Sequence, residues 1–329
     1  MSIKVLLITP YSFQKYGGVQ NQVNLIQNYL STHEEFEVKV FAYGKTESLD
    51  SNKVFNIPFN SSISSVLLFP NRELLLNYID WADVVHVHEP FVPLLFWKLP
   101  KNKKYIFTHH ASLRMTITMI LSIVYKLFRY KCISTYVSKA AESNALSLNS
   151  DPVLIPNMIK INKNISFNKN HGYLFIGRQE TRKNYTFFVK LSNHKQFSSK
   201  LFYSITNKDR LDENITSFID PSDQLKEEIF SKTNIYLALN TKSESFGITL
   251  LEAVNNGNLV ISSDLKSFID VLPNSYIVYK NNDFESLCNV LTKLDSKDLN
   301  SLWDKQYEDI RMYDLEENMK KFILLYSNL

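Results

Sequence analysis

The stretch Lys4-Val-Leu-Leu-Ile-Thr9 decides the fold class together with two features downstream of it, the glycine pair in Tyr16-Gly-Gly-Val19 and the apolar residues Val23, Ile26 and Leu30. The uninterrupted apolar run predicts a buried strand, and the glycine pair predicts a turn. The three later apolar residues recur at helical spacing, so an amphipathic helix should begin directly after the turn. A strand, a glycine turn and a helix in this order are the repeating unit of parallel α/β proteins.

Further short apolar runs, rich in β-forming residues, alternate with helical patterns along the whole chain. They are residues 38–43, 84–88, 105–108 and 133–137 in the first half, and 172–177, 201–205, 235–239, 259–262 and 276–279 in the second. A polar segment rich in Asn, Lys and Ser, residues 149–170, separates the two groups, which indicates two parallel-sheet α/β domains. We expect an N-terminal domain at 1–155, a C-terminal domain at 156–300, and C-terminal helices at 301–329 that cross back to the first domain.

The composition is that of a globular protein, with 44% hydrophobic and 21% charged residues among 329. There are only two cysteines, Cys132 and Cys288, which excludes a disulfide framework and a paired-cysteine zinc site. The longest apolar tract, residues 113–128, contains Arg114 and Lys126, which argues against a membrane span. No signal-peptide core is present at the N-terminus, so we expect a cytoplasmic protein.

Positive charge is concentrated in one part of the chain. The net charge is +4, yet residues 90–141 contain no Asp or Glu and carry nine basic residues, Lys98, Lys101, Lys103, Lys104, Arg114, Lys126, Arg129, Lys131 and Lys139. Such a basic tract suggests an anionic partner. Residues 115–131, apolar with basic ends, fit a helix lying on a membrane surface together with the lysines of 98–104, so the predicted contact spans residues 98–131. The alternative is a core helix flanked by solvated lysines. Nucleic acid is disfavoured because no aromatic–basic recognition motif accompanies the charge.

The glycine pair Gly17-Gly18 precedes a helix N-terminus, where backbone N–H groups can receive an anion. Alone, the pair is equally compatible with an ordinary turn. The dinucleotide fingerprint G-x-G-x-x-G is absent, which disfavours a classical dehydrogenase.

Two cations follow the first strand of the second half. Arg178 comes directly after Gly177, and Lys183 follows five residues later. This spacing puts both at the carboxyl edge of a parallel sheet, where such folds bind ligands, and both side chains suit phosphate oxygens. A solvated basic turn would show the same pattern.

Two glutamates flank a second predicted helix N-terminus. Glu244 precedes the segment Phe246-Gly247-Ile248, and Glu252 lies more than one turn into the helix. The helix N-terminus favours phosphate, and the carboxylates can accept hydrogen bonds from sugar or ribose hydroxyls. On spacing alone, Glu252 is also compatible with a surface position on the helix.

One histidine cluster is visible, formed by His86, His88, His109 and His110. His86 and His88 alternate on a strand predicted to be buried, so positions in the core or at its edge are favoured over metal ligation. We therefore predict no metal site.

Together these motifs resemble those of the retaining GT-B glycosyltransferases of the large E-x7-E family, known as glycosyltransferase family 4 or glycosyl transferases group 1. Glu244 to Glu252 resembles the E-x7-E motif, and Gly177-Arg178 to Lys183 resembles G-R-x4-K. Further similarity lies at residues 17–20, 83–90, 136–140, 155–157, 257–260 and 262–264. Residues 57–70 and 88–90 resemble the phosphatidylinositol mannosyltransferase branch, which uses GDP-mannose.

The resemblance implies a GT-B fold, with two Rossmann-like parallel-sheet domains facing each other across a cleft. It implies a retaining, metal-independent hexosyltransferase whose donor is a GDP- or UDP-linked sugar and whose acceptor is a glycan or a lipid-linked molecule. The closer likeness suggests mannose from GDP-mannose. No cofactor is implied, and an enzyme in the cytoplasm, peripheral on the inner face of the membrane, would match the basic tract.

The resemblance also implies roles for particular residues. It assigns catalytic roles to His110 and Glu244, and donor binding to Gly18, Arg178, Lys183, Phe246, Gly247, Ile248 and Glu252. Arg178 and Lys183 would bind the diphosphate, Glu252 the ribose hydroxyls and Glu244 the transferred sugar. Phe246, Gly247 and Ile248 would line the phosphate–sugar junction through backbone N–H groups, and Gly18 would approach the diphosphate from the N-terminal domain. His110, rather than its neighbour His109, matches the active-site histidine.

The sequence departs from the family pattern at three positions. Gln22 stands where a histidine is frequent, Asn184 where glycine often follows the lysine, and Leu259 where proline is usual. None of these changes removes a charged donor-site residue. The alternatives are a nucleotide-sugar epimerase on the same fold, disfavoured by the intact E-x7-E motif, and a catalytically inactive nucleotide-sugar-binding subunit. A paired-carboxylate glycosidase is disfavoured by the two cations beside the carboxylates.

Overall fold

The computed structural model describes residues 2–15, 17–59, 62–92, 97, 99–111, 113, 115–128, 130–208, 212–242, 244 and 246–328. Three basic residues of the tract at 90–141, Lys98, Arg114 and Arg129, lie outside these residues, as does the side chain of Lys126. The chain divides into two compact units, the first formed by Met1–Met158 with Leu315–Leu329 and the second by Ile159–Asp314. The expected domain limits were residues 155 and 300.

The first unit is built on a six-stranded parallel sheet. Its elements are β1 (Ile3–Ile8), α1 (Gly18–Ser31), β2 (Phe36–Phe41), β3 (Val54–Phe59), β4 (Ser62–Leu67), α2 (Arg72–Trp81), β5 (Val84–His88), β6 (Lys104–His109), α3 (Met115–Phe128), β7 (Lys131–Tyr136), α4 (Lys139–Leu146) and β8 (Val153–Leu154). The sheet order is β2-β1-β5-β6-β7-β8, and β3 pairs with β4 as a separate antiparallel hairpin.

The central strand β1 shows why this segment forms a buried strand. Val5 and Leu7 belong to one hydrophobic core, whereas Leu6 and Ile8 belong to another. Because side chains alternate along a strand, each face of the sheet carries its own core, and a continuous apolar run is what two covered faces require. The C-terminal helix α11 (Leu315–Ser327) packs in the same core as Val5 and Leu7, through Leu315, Met319, Phe322 and Tyr326.

The second unit repeats the architecture. It contains β9 (Gly172–Ile176), α5 (Tyr185–Ser192), β10 (Leu201–Thr206), β11 (Thr216–Ile219), α6 (Asp223–Ser231), β12 (Ile235–Ala238), α7 (Ile248–Asn255), β13 (Leu259–Ser263), α8 (Lys266–Val271), β14 (Val278–Tyr279), α9 (Phe284–Leu294) and α10 (Leu299–Ile310). The parallel sheet has the order β11-β10-β9-β12-β13-β14.

The predicted fold class of two parallel-sheet α/β domains is confirmed, and every predicted strand is present. Four strands were not predicted: the hairpin β3–β4 and the edge strands β8 and β11. Of the two C-terminal helices, α10 lies in the second unit and α11 in the first.

Strand order fixes where a ligand can bind in each unit. The order reverses between β1 and β5 in the first sheet and between β9 and β12 in the second. Open α/β sheets bind ligands beside the carboxyl ends of the strands that flank such a reversal. The segments that follow β1, β5, β9 and β12 are therefore the positions to inspect.

Candidate active site

In the second unit, the cation motif leaves the carboxyl end of β9 and the first glutamate leaves the carboxyl end of β12. After Gly177, the chain forms a short 3-10 turn, Thr181–Lys183, and then Asn184 adopts a left-handed conformation with φ 55°. This turn brings Lys183 back to the edge of the sheet. Asn tolerates left-handed backbone better than most residues, which explains how Asn184 can replace the expected glycine.

Two hydrogen-bond donors and one further cation converge on one oxygen of Glu244. Lys183 Nζ donates to Oε2 over 2.9 Å, Asn240 Nδ2 donates to the same atom over 2.7 Å, and Arg182 Nη1 lies 3.8 Å away. Burial acts to raise the pKa of Glu244, but these partners outweigh it and hold that pKa below its ordinary value. The carboxylate is therefore ionised at neutral pH and fixed in position.

A second carboxylate, Glu180, links Arg178 to Arg182, which in turn lies beside Glu244. Glu180 accepts a hydrogen bond from Arg182 Nε over 2.8 Å, and Arg178 Nη1 lies 3.6 Å from the other oxygen of Glu180. Arg178 is the more accessible cation, with 38% of its side chain exposed. The predicted pair Arg178 and Lys183 thus lies in one charged network at the sheet edge.

Helix α7 begins at this network, and Gly247 precedes it with φ 96°. A Cβ atom at this position would lie 3.0 Å from Phe268 Cε1 and 3.2 Å from Leu250 Cδ1, so both backbone angle and space require glycine. The side chain of Phe246 is buried and packs edge-on against Tyr313. Phe246 can therefore offer a ligand only its backbone, as the resemblance implies, and Ile248 opens the helix, whose first N–H groups lack intrahelical acceptors.

Glu252 is not a free surface residue of α7. Its Oε2 accepts a hydrogen bond from Lys226 Nζ on α6 over 2.7 Å, and both side chains are more than four-fifths buried. Tyr236 of β12 donates a hydrogen bond to Thr249. Burial raises the pKa of Tyr236, and the negative charges of Glu244 and Glu252 raise it further. The two carboxylates of the motif therefore both lie near Tyr236, and each pairs with its own lysine.

In the first unit, His110 follows β6 directly and is buried. Its Nε2 lies 2.9 Å from His88 Nδ1 at the end of β5. Burial lowers the pKa of His110 to about 4, against a smaller opposing effect of Asn157, so the ring is neutral at pH 7. Gly18 is the first residue of α1, which follows the loop after β1.

The two remaining histidines of the cluster, His86 and His109, contact neighbouring side chains of the same unit. His86 contacts Tyr326 through Nδ1 at 2.8 Å and Thr108 through Nε2 at 2.6 Å, and the ring of His109 packs on Phe91. Across the described ranges, no set of three His, Cys, Asp or Glu side chains is arranged to hold a metal ion.

Sequence reasoning missed four polar partners: Arg182, Asn240 and Lys226 around the glutamates, and Glu89 beside His110. Glu89 and Arg182 lie inside the quoted motifs and could have been suspected from their charge. Lys226 carries no such signal, because only the packing of α6 beside α7 brings it to Glu252. Gln22 is also accounted for, since its amide both donates to and accepts from the main chain of Met158.

Comparison with known proteins gives the fold and a class of relatives. No family model matches the chain. A phosphatidyl-myo-inositol mannosyltransferase of Mycobacterium leprae is 27% identical over 303 residues, covering 82% of this chain and 81% of the relative. The capsular polysaccharide biosynthesis glycosyltransferase CapH of Staphylococcus aureus is 24% identical over 318 residues, covering 86% of each.

Solved structures match nearly the whole chain. A glycosyltransferase from Rickettsia africae superposes with a TM-score of 0.71 at 15% identity, covering 99% of this chain and 98% of that one. Anabaena Alr3699/HepE in complex with UDP-glucose gives a TM-score of 0.72 at 13% identity, covering 99% and 100%. This chain therefore has the GT-B fold, and its curated relatives support a glycosyltransferase.

Proposed function

We propose that this chain is a retaining, metal-independent glycosyltransferase that moves a hexose from a nucleotide sugar to a glycan or lipid-linked acceptor, with mannose from GDP-mannose as the first donor to test. The observation that carries the proposal is the fixed Glu244 carboxylate, held by Lys183, Arg182 and Asn240 at the reversal of the second sheet. The names of the mycobacterial relatives support the choice of mannose.

The charged network suits a donor diphosphate. Arg178 is the accessible cation and offers a planar fork, whereas Lys183 offers a point charge beside Glu244. The first turn of α7 adds backbone N–H groups after Gly247. Such preorganised donors stabilise the negative charge that develops on the departing diphosphate.

The two glutamates divide the remaining contacts. Glu252, oriented by Lys226, would accept hydrogen bonds from the ribose hydroxyls. Glu244 would accept from hydroxyls of the transferred sugar. In the reaction, the bond from the anomeric carbon to the diphosphate oxygen breaks, a bond to the acceptor oxygen forms on the same face, and the acceptor's hydroxyl proton passes to the released diphosphate.

The acceptor side is proposed to meet an anionic membrane surface through α3. Four of its apolar side chains, Ile117, Met119, Ile120 and Ile123, are between 43% and 63% exposed. A surface helix of a globular protein normally turns polar residues to solvent, and here Leu121 and Tyr125 already cover the core. The exposed Lys101 and Lys104 precede this helix in the chain and would favour anionic lipid.

No helix in the described ranges is both long and apolar enough to cross a bilayer. The association that we propose is peripheral, on the inner face of the membrane. The lipid-linked acceptor would be presented there.

The donor is tested by thermal unfolding with GDP-mannose, UDP-glucose, UDP-N-acetylglucosamine and the free nucleotides, followed by a transfer assay. A ligand at about 100 times its dissociation constant should stabilise the protein by about 2.7 kcal/mol. Stabilisation by GDP-linked ligands alone would support the mannosyltransferase proposal. Stabilisation by UDP-linked ligands alone would mean that the donor is a UDP-linked sugar instead of GDP-mannose. A folded protein that responds to none of them, or that binds a donor and never transfers, contradicts the proposal.

Membrane contact is tested by co-sedimentation with vesicles containing anionic or only neutral lipid. The variant Ile120→Gln/Ile123→Gln should lose binding, whereas Leu324→Gln, which changes an equally exposed residue of α11, should retain it. Wild-type protein that binds neither vesicle at low salt would refute this part of the proposal.

A further inference from the structure

We propose that His88 and Glu89 are positioning residues for His110: His88 fixes which ring nitrogen of His110 carries the proton, and Glu89 fixes the backbone that carries the ring. The inference rests on the proposed function only in so far as His110 faces a substrate. Its geometry belongs entirely to the first unit.

Glu89 holds the main chain of the segment after β6. Its Oε1 accepts hydrogen bonds from two consecutive backbone N–H groups, those of His110 and Ala111, the latter over 2.6 Å. The side chain is 1% exposed. A buried carboxylate that bonds two adjacent N–H groups leaves the segment little freedom to move.

The backbone of Glu89 is itself strained to reach this position. Its φ is 58°, a left-handed value that residues other than glycine rarely adopt. Residues held in such conformations concentrate at functional sites, where the surrounding structure maintains them. As a result, two consecutive residues both contact His110. His88 contacts the ring of His110, and the side chain of Glu89 contacts the backbone of His110.

His88 controls the ring of His110. A hydrogen bond between two neutral imidazoles needs one donor and one acceptor, so the 2.9 Å contact between His88 Nδ1 and His110 Nε2 couples the two tautomers. The Nε2 atom of His88 and the Nδ1 atom of His110 are both buried and have no hydrogen-bond partner within the part of the chain that the structure describes. Whichever ring donates in the shared hydrogen bond, one of these two outer nitrogens carries an N–H and the other a lone pair, so the tautomer of one ring dictates that of the other.

The tautomer of His110 is therefore tied to that of His88: when His88 Nδ1 donates, His110 carries its proton on Nδ1, and when His88 Nδ1 accepts, His110 carries it on Nε2. The ring of His86 stacks on His88 with centroids 4.2 Å apart and is itself held by Tyr326 and Thr108, so the ring of His88 is fixed from its other side.

The first test is independent of activity. Proton–nitrogen NMR spectra of histidine-labelled protein, with His110 assigned from His110→Gln, should show a single tautomer of His110 in the wild type. In His88→Phe, which keeps an aromatic ring but no hydrogen bond, the His110 signal should change to a mixture of tautomers. A mixture of His110 tautomers in the wild type, or an unchanged signal in the folded variant, overturns the role of His88.

The second test separates positioning from folding. Glu89→Gln keeps an acceptor oxygen and should retain most activity, whereas Glu89→Leu should lower kcat roughly 100-fold, as a misplaced active-site group does, with the Kd for free nucleotide unchanged. Equal kcat for both variants overturns the role of Glu89. If wild-type protein transfers no sugar, the proposed function fails, and the NMR experiment still decides whether His88 sets the tautomer.

Discussion

At the scale of single residues, the Oε2 atom of Glu244 is the central contact of the proposed donor site. Lys183 and Asn240 bond it directly, and Arg182 adds charge from 3.8 Å. A diphosphate bound beside this group would compete with Glu244 for Lys183. The carboxylate would keep two of its three partners during that exchange, so its position should survive donor binding.

Replacing either predicted phosphate-binding cation should therefore act on the transition state more than on the fold. For Arg178→Ala and Lys183→Ala, we expect kcat/KM to fall by the equivalent of about 2–4 kcal/mol, the scale for one preorganised donor to developing charge. Steady-state transfer kinetics measure it, with Arg311→Ala as control because that arginine pairs with Glu308 on the exposed surface at the end of α10. Near-normal turnover in both variants would remove their assignment.

Replacing each of the two glutamates by glutamine should affect a different step, nucleotide binding for one and sugar transfer for the other. Glu252→Gln weakens the acceptor for ribose hydroxyls and its pairing with Lys226, so the Kd for free nucleotide should rise. Glu244→Gln should leave that Kd unchanged and lower the rate of sugar transfer. Calorimetric titration with nucleotide and a transfer assay measure the two effects, and identical shifts in nucleotide affinity would contradict the division.

Single residues also mark how far the sequence could be interpreted. Charge and spacing predicted Arg178, Lys183, Glu244 and Glu252, because each lies in a motif tied to a strand end. Lys226 could not be predicted, since its partner is 26 residues away and the contact depends on the packing of α6 against α7. The reason for Asn184 became visible only with its left-handed φ of 55°.

At the scale of elements, α3 is a helix for which the spacing of apolar residues does not predict which face is buried. A helix with one polar face has only one way to pack, but a helix that is apolar nearly all round can bury any side. The sequence therefore left a core helix and a membrane-surface helix as alternatives. The structure buries Leu121 and Tyr125 and leaves Ile120 and Ile123 exposed, which supplies the orientation that composition could not.

The start of α7 provides a prediction at the same scale. Gly247→Ala should destabilise the second unit by about 1–3 kcal/mol, because an alanine must adopt φ 96° and its Cβ would lie 3.0 Å from Phe268. Urea unfolding followed by the fluorescence of Trp303, in a background that carries Trp81→Phe and Trp97→Phe, measures the loss. The control is Gly177→Ala, whose Cβ would meet no atom closer than 3.3 Å and whose cost should be smaller. Equal stability of Gly247→Ala and wild type would be incompatible with the observed turn.

At the scale of the whole molecule, the two units differ in their buried ionisable groups. His86, His88, His109 and His110 are all buried in the first unit. Burial lowers the pKa of His86 and His109 to about 3 and of His110 to about 4, and holds the pKa of His88 well below its ordinary value. The pKa of Glu89 is shifted in the opposite direction. Burial raises it to about 7, although the hydrogen bonds from two backbone N–H groups act to lower it.

These shifts predict that acid unfolds the first unit before the second. Between about pH 4.5 and 6.5, the unfolded chain protonates the four histidines, whereas the folded chain keeps them neutral and keeps one extra proton on Glu89. The unfolded state thus binds up to three more protons, four less one, and stability falls as pH decreases, by at most about 4 kcal/mol per pH unit. In the second unit, the lowered pKa of Glu244 has an effect only below its ordinary value of 4.5.

The three tryptophans allow each unit to be followed separately. Trp303→Phe leaves Trp81 and Trp97 to report the first unit, and Trp81→Phe/Trp97→Phe leaves Trp303 to report the second. Between pH 7.5 and 5.5, the thermal midpoint of the first unit should fall by roughly 10 °C and that of the second should stay nearly constant. The additional substitution His109→Phe keeps the ring packing on Phe91. It should lower the number of protons taken up on unfolding of the first unit by one, so the free energy of unfolding should change less steeply with pH. Parallel shifts of both midpoints would show that the buried histidines do not control the acid sensitivity.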